Sequence, residues 1–274
     1  MKRRLIQLCA ALLYNLNLKG FAEASIYKGR SKGLCVPGLN CYSCPGAVGS
    51  CPLGTLQNAL SAMDRKLPFY ILGVLLLFGV TMGRTICGFL CPFGLVQELL
   101  YRIPVPKIKK NRVTQELSKV KYVILAVFVI ILPVVFKAAS GLPVPAFCKY
   151  ICPAGTLEGG IPLVLLDDSL SGLAGALFHW KVLVLAVILV SACFLYRSFC
   201  RILCPLGAIY SPVALLGVRI DRDTCVDCGR CVRTCKMDVR QVGDRECIQC
   251  GECMKECNVD AIYWKKPWDV KSKK

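Results

Sequence analysis

The chain has 274 residues, 55% of them hydrophobic, with a mean hydropathy of +0.54, a net charge of +18, and 20 cysteines against one histidine. This apolar excess argues against an ordinary soluble domain, the length against a small disulfide scaffold, and the lone histidine against bis-histidine haem ligation. No basic stripe carries interleaved aromatics, which argues against nucleic acid as a partner; the charge fits basic segments held on the cytoplasmic side of a membrane.

In chain order, residues 5–18 predict a short first span behind the basic start Lys2-Arg3-Arg4. No small-residue cleavage site follows, so a cleavable signal is not expected. Residues 69–82, continuing into Thr85-Ile86, predict a second span, and residues 122–136, continuing to Ala139, a third. Residues 182–195, flanked by Trp180 and Tyr196, predict a fourth. Residues 161–166 and 170–178, broken by Pro162, Asp167 and Asp168, are expected to be interfacial or re-entrant. The connection 102–121 holds Lys107, Lys109, Lys110, Arg112 and Lys119. Placing it in the cytoplasm with both termini obeys the positive-inside rule, and leaves basic residues 19–32 outside as an exception.

The chain also repeats internally. Residues 51–57 (Cys-Pro-Leu-Gly-Thr-Leu-Gln) match 152–158 (Cys-Pro-Ala-Gly-Thr-Leu-Glu), and residues 83–94 match 196–207, laying Cys87 and Cys91 over Cys200 and Cys204. The expected fold class is an α-helical membrane protein with four transmembrane helices in two parallel repeats, plus a small α+β ferredoxin-like domain. The repeats cover about 1–112 and 113–217 and are related by an axis along the membrane normal. Residues 218–264 form the ferredoxin domain, and 265–274 a basic tail.

Cys225, Cys228, Cys231 and Cys235 follow the spacing C-x2-C-x2-C-x3-C, and Cys247, Cys250, Cys253 and Cys257 repeat it. In such runs three thiolates serve one cubane and the fourth serves the other cluster. Structural zinc also accepts four thiolates, but two tandem runs favour iron–sulfur. The pattern resembles a bacterial two-cluster ferredoxin. That resemblance implies one [4Fe-4S] cluster on Cys225, Cys228, Cys231 and Cys257, and a second on Cys247, Cys250, Cys253 and Cys235. Lys236 and Asn258 stand where proline is usual.

The motif Cys-x3-Cys-Pro occurs at Cys87/Cys91, Cys148/Cys152 and Cys200/Cys204. Two thiolates do not complete a cubane, so Cys87, Cys91, Cys200 and Cys204, at equivalent points of the repeats, are expected to share an inner membrane-edge cluster. At the outer edge, Cys148 and Cys152 meet a loop carrying Cys35, Cys41, Cys44 and Cys51. The favoured outer set is Cys44, Cys51, Cys148 and Cys152, with Cys41 or Cys35 as substitutes or as a surplus disulfide pair. Plain packing is the alternative, since buried cysteine is common and inert, but the matched repetition argues against it. Cys9 and Cys193 lie in apolar runs and read as core. Arg84 and Arg197 precede equivalent motifs, either as snorkelling anchors or as partners of a negatively charged cluster. His179, beside Trp180, reads as interfacial.

Taken together, four spans, repeated Cys-x3-Cys-Pro motifs and a C-terminal two-cluster module resemble the NapH/NosR group of membrane iron–sulfur proteins. They are similar also to YccM-type proteins and to the core of CcoG. The large extracytoplasmic flavin-binding domain of NosR is not expected here. The resemblance implies electron transfer between the quinone pool or cytoplasmic carriers and a partner across the cell membrane. Four [4Fe-4S] clusters, two in the ferredoxin domain and two at the membrane edges, would link a donor such as reduced ferredoxin to a membrane or extracytoplasmic acceptor. A quinol dehydrogenase is the alternative within electron transfer; a redox sensor or metallocentre assembly factor is the alternative from another class. No acid–base pair or nucleophile–base constellation marks a substrate-converting site.

Overall fold

The computed structural model describes residues 2–62, 68–108, 110–167, 169, 172, 174–212, 214–237 and 239–265. The basic tail beyond Lys265, with Lys109, Asp168 and Leu170, lies outside the described residues. The first half contains α1 (Lys2–Tyr14), α2 (Lys19–Ala22), a long irregular loop, α3 (Pro52–Ser61), α4 (Phe69–Thr81), α5 (Thr85–Phe89) and α6 (Pro92–Leu100). The second contains α7 (Arg112–Ser140), α8 (Ala146–Tyr150), α9 (Gly155–Leu166), α10 (Ala176–Phe194), α11 (Ser198–Ile202) and α12 (Pro205–Ile209). The C-terminal module pairs β1 (Gly217–Ile220) antiparallel with β2 (Ile262–Lys265), Gly217 opposite Lys265, around the short helix α13 (Arg230–Thr234). The chain is mostly helical, with one small sheet.

The cysteine-bearing helices start where the sequence dictates. Cys51, Cys91 and Cys204 are N-caps in extended backbone, each followed by proline in the first helical turn. Proline suits that place because its φ is already helical and its missing N–H would have been unpaired. The next free N–H groups turn onto the thiol: Leu53 and Gly54 onto Cys51, Gly94 onto Cys91, Gly155 onto Cys152, Gly207 onto Cys204. The recurring Cys-Pro-x-Gly is therefore a helix start that aims amides and a positive dipole end at sulfur. In α7 and α9, π-helical stretches at Leu125–Ile131 and Gly155–Gly160 precede or adjoin Pro133 and Pro162; the wider turn accommodates the backbone bond that proline cannot make.

Among the described residues, α7 and α10 are the two helices long and apolar enough to cross a membrane. α10 begins at Ala176, so the end of the segment expected at the interface belongs to this helix. Its outward Leu183, Val187 and Val190 are exposed, as are Val123, Ile130 and Val134 on α7, while Leu185, Ile188, Ile124 and Val129 are buried. Such continuous exposed apolar faces are rare beside water. α1 and α4 have 13 residues each; a helix of that length rises roughly 20 Å, short of the ~30 Å hydrocarbon core. α1 buries Gln7 and Ala10 and exposes Leu5, Leu8 and Leu12. Cys9, expected in the core, lies on its exposed side because it falls between the inward positions; Cys193 is half-buried.

Arg84 and Arg197 do not snorkel: they are 3% and 0% exposed. Arg197 donates from Nε and Nη2 to Glu98 at 2.9 and 2.6 Å, and from Nη1 to the Cys87 carbonyl. Glu98 also accepts from Arg3 at 2.6 and 2.8 Å and from the Tyr196 hydroxyl at 2.9 Å. Arg84 and Lys121 both reach Glu246, at 3.0 and 2.6 Å, and fasten the C-terminal module to the helical domain. Burial alone would push the Glu98 carboxyl up, but Arg197 and Arg3 hold it below the ordinary carboxylate range. Its stabilisation is therefore present above that range and is lost as pH falls through the lowered value. Glu98→Gln strands Arg197 without its counter-charge and should cost about 3–5 kcal/mol, read as a lower unfolding midpoint in detergent.

Candidate iron–sulfur sites

Cys87 and Cys91 bracket the end of α5, and Cys200 and Cys204 the end of α11. All four are buried, and each lies within electrostatic reach of the other three. The Arg84 guanidinium sits beside Cys87 and Cys200, and its Nε and Nη1 are buried with no partner among the described residues. Arg197 stands beside Cys200 and Cys91. Four thiols and a buried cation with donors to spare fit an anionic thiolate-bound cluster.

A second set surrounds a cavity of about 350 Å³ lined by Cys41, Cys51, Cys148 and Cys152. Each of these thiols is again within reach of the other three. Cys44, favoured from the sequence, does not line this cavity; its Sγ lies 3.4 Å from Asn15 Oδ1. Cys41 takes the place because Glu158 on α9 accepts the Cys41 N–H at 2.7 Å and draws that part of the loop over the cavity. Cys35 turns its Sγ to Thr55 Oγ1 at 3.6 Å, and Cys35 and Cys41 are free thiols rather than a disulfide. Burial pushes the thiols of Cys41 and Cys148 up to about 12 and the Glu158 carboxyl up to about 7. Thiolates are unfavourable in this site until a metal centre compensates their charge.

These two sets are neighbours, where the sequence reading puts them at opposite membrane faces. The loop between Cys35 and Cys51 folds inward, with Leu39 and Asn40 only 2% and 0% exposed. The Leu39 N–H points at the Cys91 thiol, and that of the next residue, Asn40, at the Cys51 thiol. One peptide step thus joins ligands of both sets, a gap on the order of 10 Å against a bilayer core of ~30 Å. Tyr210 packs in the same gap, near Cys87, Cys204 and Cys51, and its hydroxyl donates to the Pro37 carbonyl at 3.2 Å.

In the C-terminal module, Cys225, Cys228, Cys231 and Cys257 line a cavity of about 390 Å³, and Cys235, Cys247, Cys250 and Cys253 line another. Asp227 and Gly229 in one run, and Gln249 and Gly251 in the other, take positive φ, which curls successive amides toward one centre. Asn258 and Lys236, at the positions where proline is usual, contact Arg230 at 2.7 Å and Glu252 at 3.7 Å. Cys231 and Cys253 bring these two sets within electrostatic reach. Ile248, between Cys247 and Cys250, lays its carbonyl against Gly88, between Cys87 and Cys91; a Cβ on Gly88 would come within 2.4 Å of it. Among the described residues, no three His, Cys, Asp or Glu converge as the ligands of a single ion would. Three of the four sets stand around a shared cavity, as the ligands of a multi-iron cluster would.

Two glutamines escaped the sequence reading. Gln57 donates to Cys148 Sγ at 3.3 Å, and Gln97 to Cys200 Sγ at 3.1 Å. The available signal was their shared place six residues after a Cys-Pro cysteine. His179 is exposed, with Nδ1 3.1 Å from the Gly175 carbonyl.

A family model described as a 4Fe-4S binding domain matches residues 50–70, 67–111, 122–161 and 176–222, more than half of the chain. An uncharacterized protein of Methanocaldococcus jannaschii is 29% identical over 173 residues, 61% of this chain and 64% of that protein. YccM of Escherichia coli (strain K12) is 25% identical over 207 residues, 70% of this chain and 54% of YccM. The methylamine utilization ferredoxin-type protein MauN of Paracoccus denitrificans is 26% identical over 198 residues, 69% of this chain and 62% of MauN. The chain thus spans between about half and two thirds of the length of these relatives. No solved structure matches it. With four matched segments falling on the cysteine-bearing helices, this chain belongs to the 4Fe-4S binding-domain family that includes proteins of the YccM type.

Proposed function

We propose that this chain conducts electrons through a multi-pass domain in the cell membrane, between a cytoplasmic donor and a membrane or extracytoplasmic acceptor. The observation that carries this reading is the unbroken series of thiol sets. The Cys225 set meets the Cys235/Cys247 set at Cys231 and Cys253; that set meets the Cys87/Cys200 set through Ile248 and Gly88; that set meets the Cys41/Cys148 set through Leu39 and Asn40. Four sets of four thiols correspond to four [4Fe-4S] clusters. Bound there, such clusters supply one-electron carriers whose potentials follow burial and hydrogen bonding. The chain's own residues keep the gaps short: Glu246 clamps the module down, and the inward loop fills the space between the helical-domain sets. Cys228, the exposed ligand, marks the face offered to a redox protein such as reduced ferredoxin.

In this reading α7 and α10 cross the bilayer in the second repeat, and α1 and α4, at the corresponding places in residues 1–112, complete four spans. The basic connection before α7 and both termini then face the cytoplasm. Residues 218–264 are the docked ferredoxin module, ahead of the basic tail. The names of the relatives YccM and MauN point to electron transport and a ferredoxin type. One observation favours quinol as an alternative donor. An apolar cavity of about 330 Å³ is lined by Ile108, Ile188, Phe194, Leu203 and Phe199, the last of these adjoining Cys200 in the chain, with the paired hydroxyls of Ser191 and Ser198 at its wall.

Vesicles containing the protein and an impermeant enclosed acceptor test the reading. Turnover with reduced ferredoxin is expected, turnover with quinol alone selects the alternative, and reduction without turnover by either overturns conduction in favour of a sensor. The ligand choice has its own test. Cys41→Ser should remove one paramagnetic cluster signal entirely, whereas Cys44→Ser should leave all signals in place; the reverse result would restore Cys44 as the ligand.

A further inference from the structure

Two buried glutamines stand in one relation to two different thiol sets. Gln57 on α3 lies six residues after Cys51, and Gln97 on α6 six after Cys91. Gln57 accepts the Phe147 N–H at 2.8 Å and donates from Nε2 to Cys148 Sγ at 3.3 Å. Gln97 accepts the Phe199 N–H at 3.0 Å and donates from Nε2 to Cys200 Sγ at 3.1 Å. The second Nε2 donor bonds the helix carbonyl one turn back, Leu53 at 3.2 Å and Phe93 at 3.3 Å. Both side chains are 0% exposed.

The corresponding places after Cys152 and Cys204 hold Glu158 and Tyr210, which also reach across to the other half, to the Cys41 N–H and the Pro37 carbonyl. Latching the halves together therefore does not require an amide. What glutamine adds is a donor for sulfur alongside the acceptor for the backbone. A carboxylate would keep the acceptor and present a lone pair to the sulfur, and an aliphatic chain would strand the Phe N–H. The donor occurs once in each helical-domain set, always on the first cysteine of a second-half motif.

We propose that Gln57 and Gln97 are positioning residues that hold up the reduction potentials of the two helical-domain sets by hydrogen-bonding one ligand sulfur in each. The inference rests on the reading that both sets bind [4Fe-4S] clusters. Reduction adds negative charge to the sulfurs, and a donor to a charged acceptor strengthens as that charge grows, so it stabilises the reduced form and raises the potential.

Anaerobic redox titration of the full-length protein, followed by paramagnetic resonance, tests this. Gln97→Met removes the donor without adding charge. At a fixed ambient potential the oxidised-to-reduced ratio of the signal that Cys91→Ser abolishes should rise about tenfold, a fall of about 59 mV for one electron, while the other signals stay in place. Gln57→Met should do the same to the signal that Cys41→Ser abolishes. Gln97→Glu should lower its own set's potential at least as far. Unmoved midpoints with full iron content overturn the inference and leave the cluster reading intact. Loss of the cluster in all three variants reduces the glutamines to latches and overturns it as well. Wild-type protein with only about eight irons, those of two cubanes, overturns the cluster reading itself.

Discussion

Cys91→Ser and Cys204→Ser are expected to abolish the same paramagnetic signal, and the double substitution to abolish nothing further. Each motif offers two sulfurs, and a cubane takes four thiolates. Cys87, Cys91, Cys200 and Cys204 are mutually close and buried beside Arg84 and Arg197. Neither pair holds a cluster alone, so the first substitution already removes it. Wild-type protein should carry about sixteen irons and each variant, single or double, about twelve, four fewer for one lost cubane. Passage across vesicles should fail in all three, because the broken set lies between the C-terminal module and the Cys41/Cys148 set. The clusters of the module should remain reducible from their own side. Two single variants that delete different signals would assign the motifs to separate sites and break the series.

Gly88→Ala should uncouple the module from the helical domain while every cluster stays bound. A Cβ at residue 88 meets the Ile248 carbonyl at 2.4 Å, and the obstacle is backbone rather than a yielding side-chain tip. The strain of such overpacking is about 1–3 kcal/mol, and it falls at the contact between the Cys247/Cys250 loop and the Cys87/Cys91 turn. The neighbouring Phe89–Trp264 edge contact, with centroids 5.7 Å apart, should loosen with it. Electron tunnelling falls exponentially with distance, so rapid-mixing reduction of the helical-domain clusters through the module should slow by an order of magnitude or more. The module's own clusters should reduce at the wild-type rate. Gly73→Ala, where nothing lies within 4 Å of an added Cβ, is the control and should be silent. Unchanged transfer in Gly88→Ala would show that electrons do not use this contact.

What could be read from the sequence was what is local. The eight module cysteines sit in two short runs, which the resemblance to two-cluster ferredoxins sorts into the two sets that line the two cavities, and the internal repeat places Cys87/Cys91 and Cys200/Cys204 at equivalent points. That Cys41 rather than Cys44 lines the cavity was not legible, because it turns on a Glu158 carboxylate 117 positions away gripping a backbone N–H. Nor was the nearness of the two helical-domain sets, which depends on a polar-looking loop burying Leu39 and Asn40 between them. Arg84 and Arg197 were undecided for a related reason: a snorkelling arginine and a buried one have the same neighbours in sequence, and Glu98 and Glu246 make the difference. Helix α10 was visible as an apolar run, but its start at Ala176 was obscured by the interruption at 167–168.

The interleaving of the ligands bears on how such a protein is made. Each helical-domain set takes two cysteines from each half, and each module set takes its fourth from the other run. A nascent chain that has not yet reached Cys148 therefore holds no complete set, and the first to close is that of Cys41, Cys51, Cys148 and Cys152. Until then α3 and α6 present amide-rimmed thiols with nothing to chelate. If these sets bind clusters as proposed, cofactor delivery waits for the second half to emerge and fold back against the first, and loading would be ordered with insertion into the bilayer, the Cys87/Cys200 set closing at Cys204 and the module only after synthesis passes Cys257.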